Sequence, residues 1–124
     1  MKKLIIDIDD TLTIHNSSND YSTKKINSDL LNKIIEYKND GFVICLFTAR
    51  NMNTYNQNLG MINKNTAPIL LKWLEVNNVP YDEILFGKPW CGVDGFYIDD
   101  KAIRPSEFIN LSHDEIKELI NAGS

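Results

Sequence analysis

The segment that most constrains the fold is a short apolar, mostly β-branched run over residues 4–8 that ends in carboxylates. Asp7, Asp9 and Asp10 place three acidic side chains within four positions. A short Ile-rich run bounded by polar residues predicts a buried parallel strand, here over residues 3–8. Unpaired carboxylates cost free energy beside a low-dielectric interior, so folding alone does not explain them. Ligands bind at the carboxyl ends of strands in open α/β sheets, and these self-repelling carboxylates favour a divalent cation among them.

Strand and helix patterns alternate along the rest of the chain. Further apolar runs predict strands over residues 42–47, 83–86 and 96–98, and each run ends in polar residues. A helix is predicted over residues 28–39, with Gly41 as its C-terminal stop and an apolar stripe of Leu30, Leu31, Ile34 and Ile35.

Two more helices are predicted towards the C-terminus. One follows a polar stretch that reaches Lys64, and it covers residues 67–77 with Thr66 as its N-cap and Pro68 in its first turn. The capping box Ser112-His113-Asp114-Glu115 opens the other, whose residues Ile116, Leu119 and Ile120 are expected to face the core. Apolar strands separated by helices predict an α/β fold with a parallel sheet covered on both faces. We expect one domain over residues 1–124.

Net charge, apolar run lengths and cysteine spacing argue against several classes of function. A net charge of −4 argues against nucleic acid or an anionic membrane as the main partner. No apolar run reaches the length of a membrane span, and the N-terminal run breaks at Asp7, too early for a signal peptide. Cys45 and Cys91 lie too far apart in the sequence to suggest a disulfide framework or a zinc site. A cytoplasmic setting is expected.

Polar side chains follow all four predicted strands at the same end. They are Asp7 and Asp9, Thr48, Lys88, and Asp99 with Asp100. Each alone has an ordinary interpretation, such as a turn aspartate, a β-forming threonine or a solvated lysine. Because the carboxyl ends of parallel strands meet at one edge, their joint occurrence predicts a single site. Asp10 is interpreted as a turn residue.

These residues resemble the four motifs of the haloacid dehalogenase (HAD) superfamily of phosphohydrolases. The first motif, D-x-D-x-T after a strand, corresponds to Asp7, Asp9 and Thr11, and the second to Thr48. The third corresponds to Lys88, and the fourth to the acidic pair at 99–100. More narrowly, residues 48–52, 80–84, 87–92 and 99–105 resemble the small HAD phosphatases of bacterial capsular polysaccharide loci. The resemblance implies a three-layer Rossmann-like core with a mainly parallel sheet, helices on both faces and no cap domain.

The resemblance also implies a mechanism and a cofactor. Asp7 is the expected nucleophile that forms an aspartyl-phosphate, and Asp9 is the expected general acid and base. Thr48 and Lys88 are expected to bind the phosphoryl oxygens. Mg²⁺ is the expected cofactor. Its expected ligands are the Asp7 carboxylate, the Asp9 backbone carbonyl and the Asp99 carboxylate, and Asp100 is expected to be a second acidic ligand that binds directly or through water.

Lack of a cap leaves the closure of the site to loops, to the substrate, or to a neighbouring subunit of a homo-oligomer. The expected substrate is a small phosphorylated metabolite, such as a sugar phosphate used in capsule assembly. Candidate substrate-binding residues lie in or just beyond the motifs, and they are Thr11, Ala49, Arg50, Asn51, Trp90 and Arg104. For most of these, packing or an exposed loop position is an equally good interpretation.

Other functions fit the same residues less well. A receiver domain of a signalling system also has acidic residues after its first strand, but its phosphoacceptor lies in mid-chain, where this chain has Thr48. A calcium loop beginning at Asp7 lacks the required glycine and closing glutamate. A HAD-like domain that only binds a partner, and phosphoryl transfer to an acceptor other than water, are the remaining alternatives.

Overall fold

The computed structural model describes residues 2–123, which form two compact units. The first unit ends at Trp90 and the second begins at Cys91. The single-domain interpretation of the sequence stays a prediction. No helix in the described part of the chain is long and apolar enough to cross a membrane.

The first unit contains a parallel sheet of three strands, β1 (Lys3–Ile6), β2 (Val43–Thr48) and β3 (Glu83–Phe86). The strand order is β1-β2-β3, and the register pairs Ile6 with Leu46 and Leu46 with Ile84. This confirms the predicted α/β class and the parallel arrangement, with strand bounds within two residues of those expected. All three carboxyl ends therefore lie at one edge of the sheet.

The two faces of the sheet are buried to different extents. In β2 the consecutive residues Ile44, Cys45 and Leu46 are all buried, so this strand is covered on both sides. The outer strands alternate, and one face leaves Ile5 66% and Leu85 54% exposed. Both crossovers run in the same direction across the sheet, and the right-handed rule for such crossovers places their helices on the same face. On the other face, β1 and β3 therefore carry the exposed side chains Ile5 and Leu85.

Helix α1 (Ser28–Asn39) has the predicted bounds. The Asn27 side chain caps it by accepting from the Leu30 N–H, and Gly41 ends it with φ of +91°, a conformation that suits glycine. The buried stripe consists of Leu30, Ile34 and Tyr37, whereas Ile35 is exposed, contrary to the expectation.

The second helical region begins earlier than predicted. Helix α2 (Leu59–Met61) leads through a π-helical stretch, Ile62–Thr66, into α3 (Ala67–Val76). Asn58 caps this region by accepting from the Met61 N–H. The prediction of Thr66 as N-cap is wrong, because the Thr66 hydroxyl donates instead to the Asn51 side chain at 2.7 Å.

The second unit is helical, with α4 (Pro105–Asn110) and α5 (His113–Gly123). The capping box is confirmed, since Ser112 and Glu115 exchange side chain to backbone hydrogen bonds in both directions. Ile116 is buried as expected, but Leu119 is exposed. The prediction of a strand over residues 96–98 is wrong. A strand needs a hydrogen-bonded neighbour, and these residues are irregular, with Phe96 77% and Ile98 89% exposed.

Replacement of Asn58 by Ala tests where the second helical region begins. We expect it to lower the free energy of unfolding by about 1 kcal/mol, because an N-terminal N–H loses its side-chain acceptor. Urea denaturation measures the difference. Asn63→Ala, an exposed substitution in the π-helical stretch, is the matched control and leaves stability within about 0.5 kcal/mol of the parent. Equal stability of the two variants would contradict the assignment of Asn58 as the cap.

Candidate active site

A tight turn after β1 presents the acidic cluster. The Ile8 carbonyl accepts hydrogen bonds from the N–H groups of Thr11, Leu12 and Thr13 at 2.9–3.2 Å. Ile8 and Leu12 are fully buried, which anchors the turn to the core. Asp10 has φ of +63° and pairs with His15 at 3.1 Å, so its interpretation as a turn residue is confirmed.

Asp7 lies between a hydroxyl and an ammonium group. The Thr11 hydroxyl donates to Asp7 Oδ2 at 2.9 Å, and Lys88 Nζ lies 3.5 Å from Asp7 Oδ1. The Asp7 side chain is about one-third exposed, so a ligand can reach it. The structure therefore brings together three of the predicted site residues, Asp7, Thr11 and Lys88.

The position of Lys88 depends on the backbone that precedes it. Gly87 has φ of +87°, and a Cβ there would lie 2.8 Å from a methyl carbon of Leu59. A side chain at this position would be strained and crowded. The Lys88 N–H donates to the Thr48 carbonyl at 3.1 Å, which holds the loop after β3 against the end of β2.

Asp9 is held by Arg50 rather than left open. Arg50 Nε and Nη2 donate to the two Asp9 carboxylate oxygens at 3.1 and 2.8 Å. The Arg50 side chain is almost fully buried, and its backbone N–H donates to Thr48 Oγ1 at 3.0 Å. Its Nη1 has no hydrogen-bond partner within residues 2–123. Bidentate pairing of this kind fixes both the position and the orientation of a carboxylate.

Tyr21 completes this cluster and was missed in the sequence. The Arg50 guanidinium lies 4.2 Å from the centroid of the Tyr21 ring, within cation–π range. Burial raises the pKa of Tyr21, the Asp9 carboxylate raises it further, and Arg50 opposes the rise. A single aromatic residue in a polar loop gave no signal for this contact.

The other substrate-binding candidates in the first unit have mixed placements. Asn51 has φ of +60° and uses its side chain locally, since it accepts from Thr66 and donates to Thr54. Ala49 is half-buried, and its carbonyl accepts from the Met52 N–H. Trp90 is half-exposed and lines a pocket of about 260 Å³. The other lining residues are Met52, Asn53, Asn56, Gln57, Gly87 and Pro89.

The second unit carries the remaining candidates. Asp99 and Asp100 lie in an exposed turn, where the Lys101 N–H donates to Asp99 Oδ1 at 3.1 Å. This hydrogen bond, and one that involves Asp100, hold the pKa of Asp99 below its usual range. Arg104 is exposed, and its backbone N–H donates to the Glu107 carboxylate at 2.7 Å. Among residues 2–123, no group of three or more His, Cys, Asp or Glu is arranged to hold a metal ion.

The fold and these contacts define an α/β protein with a carboxylate-rich site at the carboxyl end of a parallel sheet. The chain belongs to the same family as a structural-genomics target from Vibrio cholerae whose crystal structure is known. The two are 52% identical over all of both chains, with a TM-score of 0.97.

A second solved structure is similar to this chain in fold alone. A chain of the Pnkp1/Rnl/Hen1 complex matches with 21% identity and a TM-score of 0.51, over 89% of this chain and 34% of the other. No family model and no curated protein matches the chain.

Titration of Tyr21 tests the Asp9–Arg50–Tyr21 geometry. We expect Arg50→Met to raise the pKa of Tyr21, because the phenolate loses a nearby cation, and Asp9→Asn to lower it, because the phenolate loses a nearby anion. Tyrosine absorbance measured against pH gives the shift, and Tyr21→Phe identifies the contribution of this residue among the five tyrosines. Shifts in the same direction for both variants would contradict the arrangement.

Proposed function

We propose that this protein is a Mg²⁺-dependent phosphomonoesterase of the HAD superfamily that acts through an aspartyl-phosphate. The observation that carries the proposal is the setting of Asp7, whose carboxylate lies 2.9 Å from the Thr11 hydroxyl and 3.5 Å from the Lys88 ammonium. A carboxylate nucleophile splits a slow hydrolysis into two easier steps. A fixed cation beside it offsets the repulsion between that nucleophile and an anionic phosphate.

In the first step, an Asp7 oxygen forms a bond to phosphorus while the bond from phosphorus to the leaving oxygen breaks. Asp9, once it has released one Arg50 hydrogen bond and taken up a proton from solvent, gives that proton to the leaving oxygen, so the alcohol departs neutral. In the second step, Asp9 takes a proton from water as that water attacks phosphorus, which releases phosphate and restores the Asp7 carboxylate. The Thr11 hydrogen bond to Oδ2 directs Oδ1 towards Lys88 and hence towards the incoming phosphoryl group.

Arg50 acts here as a positioning residue. It holds both Asp9 oxygens and is itself buried, so it orients the proton shuttle rather than reading the substrate. During the reaction, Asp9 exchanges one of its two hydrogen bonds to Arg50 for one to the leaving oxygen. Thr48 supports the same arrangement through the hydrogen bond from the Arg50 N–H to its hydroxyl oxygen.

The oxygen donors at this edge of the sheet fit Mg²⁺. This ion is usually held by one or two carboxylates together with waters and substrate phosphate, rather than by a complete protein cage. The residues that would hold it are Asp7 and the Asp9 carbonyl at this edge, together with Asp99 and Asp100, which belong to the second unit. When bound, the ion supplies positive charge to the phosphoryl oxygens.

The pocket beside Lys88 favours a small substrate. It has about 260 Å³ and offers side-chain amides from Asn53, Asn56 and Gln57 and one flank of Trp90. Amides hydrogen-bond to hydroxyl groups, and an indole face packs against the apolar face of a sugar ring. We therefore propose a phosphorylated small metabolite, such as a sugar phosphate in surface polysaccharide assembly, as the substrate class.

Hydrolysis of an aryl phosphate tests the reaction. We expect turnover with Mg²⁺, loss of turnover on chelation, and activity at the background level for Asp7→Asn, because the nucleophile is gone. Acid quenching followed by peptide mass analysis detects the phosphoryl group on Asp7. Phosphorylation without release of phosphate would indicate a switch rather than a hydrolase, and full activity in Asp7→Asn would contradict the covalent mechanism.

Replacement of Asp9 by Asn tests its role as proton shuttle. We expect turnover to fall by roughly 10²–10⁴-fold, the usual contribution of general acid–base catalysis. Metal affinity, measured by calorimetry, changes little because the expected ligand is the Asp9 backbone carbonyl. Asp10→Asn is the matched control and keeps near-parental activity, since Asp10 is an exposed turn residue whose positive φ asparagine accepts. A similar loss in both variants would contradict the assignment.

A further inference from the structure

One edge and one face of the sheet are open in a single copy of the chain. β1 is an outer strand of the three, so one side of its backbone pairs with β2 and the other side has no strand beside it within residues 2–123. On the open face, Ile5 and Leu85 are more than half exposed. An apolar, unpaired edge of this kind is a template for another strand.

A segment of matching character lies in the second unit. Val93, Phe96 and Ile98 are exposed to water over at least three-quarters of their surface, although the last two belong to the run whose pattern predicts a strand. In α5, Leu119 is exposed as well, although the helical pattern predicts that it faces a core. Exposed clusters of large apolar side chains mark interaction surfaces.

We propose that two copies of this chain exchange their C-terminal units, so that residues 96–98 of each copy pair in parallel with β1 of the other. The occupant of the open edge is therefore a second copy of this chain. The role given below to Asp99 rests on the proposed function. The exchange itself rests on the exposure of apolar side chains in both units and on the charges at the start of the paired strands.

Aligning the strand ends sets the register of the pairing. Asp99 of one copy lies level with Asp7 of the other, and two residues earlier Tyr97 lies level with Ile5. Phe96 and Ile98 then point to the more buried face of β1 and Tyr97 to the open face, because side chains alternate along a strand. The helices that follow residue 98 are available to cover the open face of the sheet, which completes a layered α/β fold.

Charge favours the parallel direction at the start of the strand. In this register, Asp94 of one copy lies level with Lys2 of the other, while Lys3 already pairs with Glu83 at 2.8 Å. The antiparallel direction would instead bring Asp94 towards the carboxylate of Asp7. At the far end, Asp99 lies beside Asp7, and a divalent cation held by both carboxylates would offset the repulsion between them.

A turn that depends on two glycines opens the second unit. Gly92 has φ of +81°, and a Cβ on Gly95 would lie 2.1 Å from the Cys91 carbonyl oxygen, so only glycine fits this turn. Reciprocal exchange of identical units closes a two-fold dimer, and it buries the same surface on both copies. Each active site then takes Asp7 from one chain and Asp99 from the other.

Molar mass in solution is the first test. We expect multi-angle light scattering to give twice the mass of the chain, and Phe96→Asp to give a folded monomer. Val76→Asp is the matched control, because Val76 is also exposed, at 65%, but lies on α3, so this variant stays a dimer. A monomeric parent, or a dimer that persists in Phe96→Asp, overturns the proposal.

Disulfide trapping tests the partner and the direction of pairing. In a Cys91→Ser background, Lys2→Cys with Asp94→Cys is expected to give a covalent dimer on oxidation, since neighbouring strands bring such pairs within bonding distance. Lys2→Cys with Lys101→Cys is the control and stays unlinked, because the two positions lie at opposite ends of the strand. A link within one chain, or dimers only in the control, overturns the proposal.

Mixing of two inactive variants connects the exchange to the proposed function. Asp7→Asn and Asp99→Asn, unfolded together and refolded, are expected to regain roughly a quarter of parental activity, because half of the dimers are mixed and each mixed dimer holds one intact site. If the parent protein is active and the refolded mixture regains no activity, the proposed exchange is wrong and the proposed function stands. If the parent has no phosphatase activity, the proposed function fails, whereas light scattering and trapping still decide the exchange.

Discussion

The candidate site depends on the parallel pairing of β1, β2 and β3. Parallel strands bring all their carboxyl ends to one edge, so Asp7 and Lys88 come from distant parts of the chain and still meet. The hydrogen bond from the Lys88 N–H to the Thr48 carbonyl continues this pairing two residues past β3. Backbone geometry, rather than side-chain attraction, therefore places the cation beside the carboxylate.

The buried Arg50 connects this edge to the loop that follows β1. Burying a guanidinium costs several kcal/mol unless its charge is paired and its N–H groups are satisfied. Asp9 satisfies two donors, and the Tyr21 ring covers one face of the guanidinium. Tyr21 therefore contributes to the electrostatics of the site, although it lies outside the sequence motifs.

Sequence patterns predict the contacts that follow from backbone geometry. They miss the contacts that depend on the conformations of side chains. Asp7 and Lys88 follow apolar strands, so strand periodicity alone predicts that they meet. The contact of Arg50 with Asp9 spans 41 positions and depends on a rotamer, which no local pattern encodes. The error at Thr66 has a similar cause, because its hydroxyl has a tertiary partner, Asn51, that outweighs its capping preference.

Residues 96–98 show a different limit of sequence patterns. Their composition is that of a buried strand, and strand formation depends on a neighbour as well as on the segment itself. The pattern therefore describes the segment in the assembly in which it is paired, and a single copy need not contain that partner. Under the proposed exchange, the unpaired edge of β1 takes its fourth strand from the second copy, and the same segment supplies the acidic residues that complete the site.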